Sequence, residues 1–435
     1  MTTASIAIAV LLGGFVVLML LRVPVSIALI LSTLGSALIG GTNLTSIAQA
    51  MVKGVDNFSL LAVPFFILSG EIISAGGIAT RLIDLANLLV GRMRGGLAMV
   101  NCMDSMFFGG ISGSAVADVS SLGSVMIPMM VKAGYDEDFA VGITVTTACQ
   151  GVLIPPSHNM VIYAVSAGGG ISIGKLFMGG LIPGVLLGLA FMVTCYILAK
   201  RRNYPYGVTT PKGKRLKVVL EALLPLGTIL IVMGGVSFGI CTPTESAALA
   251  GVYAFILAYF VFREIKLRDF GKILTRALKT LAIVLTLIAA AKGFAFMMVN
   301  LRVSEILTSA LLSVTQNKYL LLLLINVLLL FLGCIMDMAP LILIMTPILY
   351  PVVTSPVVGM DPIHFGVMLI FNLAIGLCTP PVGSALFVGC AIGKTPIERT
   401  AKHMMPMFLT MVIMLMLVTY IPDVTMLVPR LMTAK

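Results

Sequence analysis

Apolar residues run along this chain in blocks long enough to cross a bilayer, with polar residues gathered in short stretches between them. Ala4–Leu21 is the first such block, and others fall at about Leu176–Ala199, Val218–Phe238, Pro243–Phe262 and residues 403–421. A segment in hydrocarbon must satisfy its own backbone, so each block predicts an α-helix. Two further blocks are interrupted by paired prolines. "GVLIPPSHNMVIYA" covers residues 151–164, and "GLCTPPVGSALFVG", residues 376–389, lies within a span running from about Ile363 to Cys390. Each proline removes a backbone donor and clashes with the preceding turn. Carbonyls near Gly376, Leu377 and Cys378 should therefore lose their helical partners. At membrane depth such backbone is tolerated where it is buried in protein or lines a wet cavity.

Composition agrees with a polytopic membrane protein: 59% of the 435 residues are hydrophobic, 10% are charged, and the mean hydropathy is +1.11. The first block has no basic leader and no small-residue cleavage site, so it reads as a retained helix rather than a signal peptide. The net charge of +11 collects in inter-helix loops, where orientation and anionic lipid explain it better than nucleic acid does. Seven cysteines without metal-ligand spacing read as reduced packing residues.

Basic residues set the topology. The segments Lys200–Lys217 and Arg263–Lys279 are rich in Lys and Arg and should be cytoplasmic, with two helices and the turn Gly239–Thr242 between them. Counting outward from these puts Arg92, Arg94, Lys132, Lys394, Arg399 and Lys402 inside and both termini outside. Arg302 and Lys318 fall on the outer side against the rule, so Arg302 needs another role.

The chain also repeats itself. Met103-Asp104 precedes the first Pro-Pro break and Met336-Asp337 the second; Pro183 and Pro406 follow them; "RVPVSIALI" from Arg22 mirrors "CTPTESAAL" from Cys241. By the charge rule the copies have opposite orientation, which is an inverted-topology repeat. The division is 1–217 and 218–435. Within it fall scaffold helices with an arm (1–94 and 218–300), a hairpin with a broken helix (95–166; then 319–353 and 363–390), and closing helices at 176–199 and 403–421. The arms are expected as one interfacial helix on each side of the membrane, over 42–59 and after Phe262. Gly95–Met130 and Tyr319–Val353 must return to the side they left, so they are expected as re-entrant hairpins with tips at "FFGGISGSAVAD" and "GCIMDMAP".

An intramembrane carboxylate is expensive unless paired, solvated or holding an ion. Asp337 at the second tip is accordingly a functional candidate, with Asp104, its apparent counterpart, and Asp118 beyond the first tip. The first tip brings the hydroxyls of Ser112, Ser114, Ser120 and Ser121, and the second break brings Thr379; serine and glycine are also ordinary helix-packing residues. Such oxygen ligands suit a hard cation. His158 reads as a hydrogen-bonded interior group, with ligation or proton carriage as alternatives. "GISG" at 110–113, with His158 as base, is a short match to rhomboid-like intramembrane serine proteases, but the second repeat has no Ser-Gly equivalent. "GGGISIGKL" lacks the Ser/Thr of a P-loop and faces outward, so transport would draw on an ion gradient.

The tip "GGISGSAVAD", "CTPTESAALAGVYA", "MDMAPLILIMTPIL" and "GLCTPPVGSALFVG" closely resemble the large membrane subunit of tripartite ATP-independent periplasmic (TRAP) transporters, the DctM/SiaM type, over nearly the whole chain. The resemblance implies an all-α membrane protein of about ten spanning helices plus two re-entrant hairpins, with ion-transporter-like elevator architecture. It implies Na⁺-coupled import of a small organic acid across the bacterial inner membrane, with two or more Na⁺ ions as co-substrate and sialic acid preferred over C4-dicarboxylates. Its partners would be a small four-helix membrane subunit, expected as a separate polypeptide, and a soluble periplasmic binding protein. Carried over, one Na⁺ site involves Ser112 with Gly151 to Pro155, and the other involves Gly333 to Asp337 with Gly376 to Thr379. The substrate-binding candidates are Ser112, Ser114, Asp118, Asn159, Arg302 and Asp337. A channel is the alternative, since inverted half-helices also build pores; an intramembrane protease is a remote one.

Overall fold

The computed structural model describes residues 3–207 and 211–433, and among them there are helices and no strands. The extreme termini, whose outward placement the charges predict, and residues 208–210 of the basic loop lie outside the described residues. The first half runs through α1 (Thr3–Leu20), α2 (Val25–Gly40), α3 (Leu44–Val55), α4 (Ala62–Ala75) and α5 (Ile78–Val90). A hairpin of α6 (Gly96–Ser112) and α7 (Ala115–Lys132) follows, then α8 (Glu137–Ala148), α9 (Gln150–Leu153), α10 (His158–Ser166) and α11 (Ile173–Arg201). The second half starts with α12 (Arg215–Ser237), α13 (Pro243–Ile256), α14 (Phe270–Asn300) and α15 (Val303–Val314). Its hairpin is α16 (Lys318–Ile335) and α17 (Met338–Val353). It closes with α18 (Pro362–Gly376), α19 (Ser384–Gly393), α20 (Ile397–His403), α21 (Met405–Tyr420) and α22 (Pro422–Thr433).

Among the described residues, eight helical segments are long and apolar enough to cross a membrane, or up to ten when two bent pairs are each taken as one span. Both paired-proline stretches break their helices, at residues 154–157 and 377–383. The first break bends its span by 51°. Helix starts follow local chemistry. Thr242 and Glu245 form a capping box around Pro243, and Asp361 caps α18 ahead of Pro362 through its bond from the Ile363 amide.

Three expectations need correction. The boundary at 217/218 falls inside α12, whose first turn begins at Arg215. The second arm is not a separate helix. In the first half Asn57 caps a new 3-10 turn after α3, whereas residues 270–300 run on as one 31-residue helix. Last, α22 extends beyond the expected final helix and packs on α11.

The two halves interlock. α4 packs on α13 as α14 packs on α2, forming one framework together with α1 and α12. The hairpins and broken helices form a second assembly: α19 lies against α7 of the first hairpin, and α10 lies against α17 of the second. Where the broken helices cross, the Cys149 thiol donates to the Ala374 carbonyl at 2.9 Å and lies 2.8 Å from the Cys378 sulfur. All seven cysteines are free.

Candidate functional site

Each hairpin tip meets a broken helix through glycine. A Cβ placed on Gly151 would lie 2.7 Å from the Gly109 Cα, and one on Gly376 would lie 2.8 Å from the Gly333 Cα. Only hydrogen fits between these backbones, which is why both contacts use glycine on both sides.

In the first half, Ser112 ends α6 and Ser114 caps α7, its hydroxyl accepting from the Ala117 amide at 3.4 Å. Gly113 between them has φ 61°, a left-handed conformation that glycine adopts without strain. The Ser112 hydroxyl donates to Asp118 Oδ1 at 2.6 Å. Asp118 Oδ2 is buried without a hydrogen-bond partner and points at Gly151, 2.7 Å from where a Cβ would stand. Pro155 and Pro156 bring no amide hydrogens to the Gly151 and Val152 carbonyls, whose helical partners they would be. A carboxylate and a hydroxyl thus meet the glycine contact beside the break, oxygen donors suited to a hard cation.

The second half is built differently. Asp337 stands at the N-cap position of α17 and is exposed, its carboxylate accepting from the Ser384 hydroxyl at 3.2 Å rather than from a helix amide. The Val382 amide donates to the Cys334 carbonyl at 3.1 Å, stitching the tip to the break. The Gly376 and Leu377 carbonyls lose their helical i+4 partners to Pro380 and Pro381 but do not stand free. Gly376 accepts from the Thr379 amide and hydroxyl, and Leu377 accepts from the amides of Ala385 and Leu386, because the chain curls back over the break. The Thr379 and Leu377 carbonyls still face Gly383, 2.8 and 3.0 Å from a Cβ built there. The positional counterpart of Asp337 is Ser114, since both occupy the N-cap position of the returning hairpin arm, although only Ser114 makes a capping hydrogen bond. Asp104, paired with Asp337 by sequence motif, instead lies within α6, fully buried with both oxygens unpartnered.

A cavity of about 700 Å³ opens beside the first tip. Ser112, Ser114 and His158 line its inner end, Ser120, Ser121 and Ser124 one wall, and Glu71, Ser74 and Arg276 the other. It lies between the framework helices α4 and α14 and the hairpin. Its lining reaches the α4–α5 turn at Gly77, Ala79 and Thr80, next to which Arg81 pairs at 2.6 Å with Glu264 of the basic segment before α14. His158 therefore faces a cavity rather than closed interior. Asn159 is buried beside it but does not line the cavity. Arg302 is exposed at the α14–α15 turn, and neither it nor Asp337 reaches the cavity.

Two basic residues at these interfaces escaped sequence reasoning. Arg276 reads as part of a cytoplasmic loop, yet it projects from α14 into the cavity and pairs with Glu71 of α4 at 3.1 Å. Lys292 of α14 donates at 2.9 Å to the Val165 carbonyl in the last turn of α10, linking the framework to the first broken helix. The signal for Lys292 was its charge inside an apolar block.

Residues 12–424 match the model of the tripartite ATP-independent periplasmic transporter DctM component. The chain is 42% identical to the uncharacterized protein YgiK of Salmonella typhimurium, over 98% of this chain and 97% of that one. It is 40% identical to the sialic acid TRAP transporter large permease protein SiaM of Vibrio cholerae, over 96% and 97%. Among solved structures, the Alcanivorax borkumensis YdaH transporter superposes with a TM-score of 0.61 over 86% of each chain, at 15% identity, a likeness of fold. The paired hairpins, the doubly broken spans and the match along nearly the whole sequence lead to one conclusion: this chain belongs to the DctM family of TRAP transporter large permeases.

Proposed function

We propose that the protein imports a small organic acid across the bacterial inner membrane, driven by Na⁺ and moving its hairpin assembly as an elevator. The observation that carries this reading is the pair of glycine contacts at which each hairpin tip meets a Pro-Pro break, beside oxygen donors. Na⁺ is a hard cation of the kind such donors hold, and the two sites lie in an assembly that interlocks across both repeats. A cavity bounded by this assembly on one side and the framework on the other supports relative sliding of the two. Its lining by Arg276 of α14 and the α4–α5 turn, beside the segments that the basic residues assign to the cytoplasm, supports an inward-facing state. A periplasmic binding protein would deliver the substrate, and a small membrane subunit would complete the framework. The sialic acid cargo named for the Vibrio relative supports the organic-acid class. A protease reading finds no support in the geometry, since the Ser112 proton is directed to Asp118 rather than to His158.

The test is uptake in proteoliposomes containing both membrane subunits, with the binding protein outside. Accumulation against the substrate gradient under inward Na⁺, abolished with K⁺ in its place, is expected. Passive equilibration independent of the binding protein would identify a channel instead.

A further inference from the structure

We infer that the groove beside the second break is a lipid site: it holds one acyl chain of an anionic phospholipid, with Lys402 on the phosphate. The groove has a volume of about 440 Å³ and lies between α16, α18 and the corner where α20 meets α21. Leu330, Ile375, Met405, Phe408 and Val412 give it apolar walls. Met405 to Val412 is about two turns of α21, roughly 10 Å of length that a hydrocarbon chain can follow. Around it, Phe331 of α16 and Leu409 and Ile413 of α21 stand exposed, which suits a surface turned to lipid.

The other groups in the groove are already committed. The Thr379 hydroxyl donates to the Ile375 or Gly376 carbonyl, each at 3.0 Å, and the Cys334 thiol donates to the Leu330 carbonyl at 3.2 Å. Pro380 has no amide hydrogen to offer. A polar ligand therefore finds its donor only at the α20 end, in Lys402. Arg399, one turn earlier, is taken up by Asp138, whereas Lys402 has no partner among the described contacts. An apolar trough ending in one unpaired cation matches an amphiphile with one anionic head. The charge rule assigns that end to the cytoplasmic side, where anionic lipid gathers. A helix of the small subunit is the competing occupant. But α16 and α18 belong to the hairpin assembly, and α20 and α21 pack on it, so a stationary helix there would hold back the sliding, whereas a lipid travels with it. That choice of lipid over helix rests on the elevator reading above; the measurement below involves no transport, so either can fail alone.

The chain has no tryptophan, so one can be introduced as a sole reporter. Phe408→Trp, half-buried in the groove, and Met405→Trp, exposed near Lys402, are two such reporters, and either alone suffices. Leu249→Trp, exposed on α13, is the control. The full chain is reconstituted in phosphatidylcholine vesicles in which a minor fraction of the lipid is brominated phosphatidylglycerol or brominated phosphatidylcholine, whose bromines quench tryptophan on contact. Phosphatidylglycerol should be preferred about fivefold at the groove reporters, with no such preference at Leu249→Trp. Lys402→Gln, an exposed change, should erase that preference. Equal quenching by the two lipids in the groove, or a preference that survives Lys402→Gln, overturns the site. Quenching that disappears when a tryptophan-free small membrane subunit is added also overturns it, because a partner helix then fills the groove.

Discussion

Replacing Gly151 with alanine tests the tip-to-break contact directly. The added Cβ would stand 2.7 Å from the Gly109 Cα and 2.7 Å from Asp118 Oδ2, where ordinary contact begins at 3.4 Å. Neither neighbour can swing aside, one being helix backbone and the other a short carboxylate held by Ser112. The hairpin and the broken helix must therefore part by about 0.7 Å, and overpacking of this kind costs ~1–3 kcal/mol. If that strain falls on the cation-bound arrangement, apparent Na⁺ affinity drops by about 5- to 150-fold. Gly234→Ala is the control. It lies in α12 with nothing within 4 Å of its Cβ position, so alanine should leave transport unchanged and favour the helix by up to ~1 kcal/mol. The assay is the Na⁺ concentration giving half-maximal uptake in proteoliposomes. A Gly151→Ala half-saturation matching that of wild type would refute the idea that this close approach shapes a cation site.

Asp118→Asn keeps the shape of the side chain but removes the charge, so Na⁺ half-saturation should rise by about tenfold or more with little change in thermal midpoint; unchanged Na⁺ dependence would remove Asp118 from the site. Asp337→Ala should abolish uptake without preventing folding, since the side chain is exposed and its described contact is one bond from Ser384; uptake with unaltered Na⁺ dependence would count against a second site at that tip. Arg302→Gln should leave substrate affinity as in wild type, because the residue is exposed and away from the cavity. A weakened substrate dissociation constant would return it to the binding path, whereas an effect confined to binding-protein docking would place it on the outer face.

The architecture was legible because its determinants are local and severe. Proline lacks an amide hydrogen, so Pro155-Pro156 and Pro380-Pro381 mark their breaks in any context. The helix pairs were legible as apolar blocks, and both begin within one residue of their expected starts at Gly95 and Tyr319. Pairings across space were less accessible. The Met-Asp motif matched Asp104 to Asp337 by identity, but the fold matches by position at the start of the returning arm and puts Ser114 there. Arg276 was hidden because the helix α14 swallows the expected arm, turning a loop-like basic segment into a cavity wall. Arg302 stood out by topology, yet the charge rule carries no information about what a residue faces.

The elevator motion is the central claim, and Ser74 with Ser121 offers the most direct test. Their hydroxyls touch across the boundary between α4 of the framework and α7 of the hairpin. In a background free of the seven native cysteines, Ser74→Cys with Ser121→Cys should cross-link under mild oxidant, halt uptake in the inward-facing state, and recover full activity on reduction. Complete cross-linking with uptake at the uncross-linked rate would mean that α4 and α7 stay together throughout the cycle, and the hairpin assembly would then not slide against its framework.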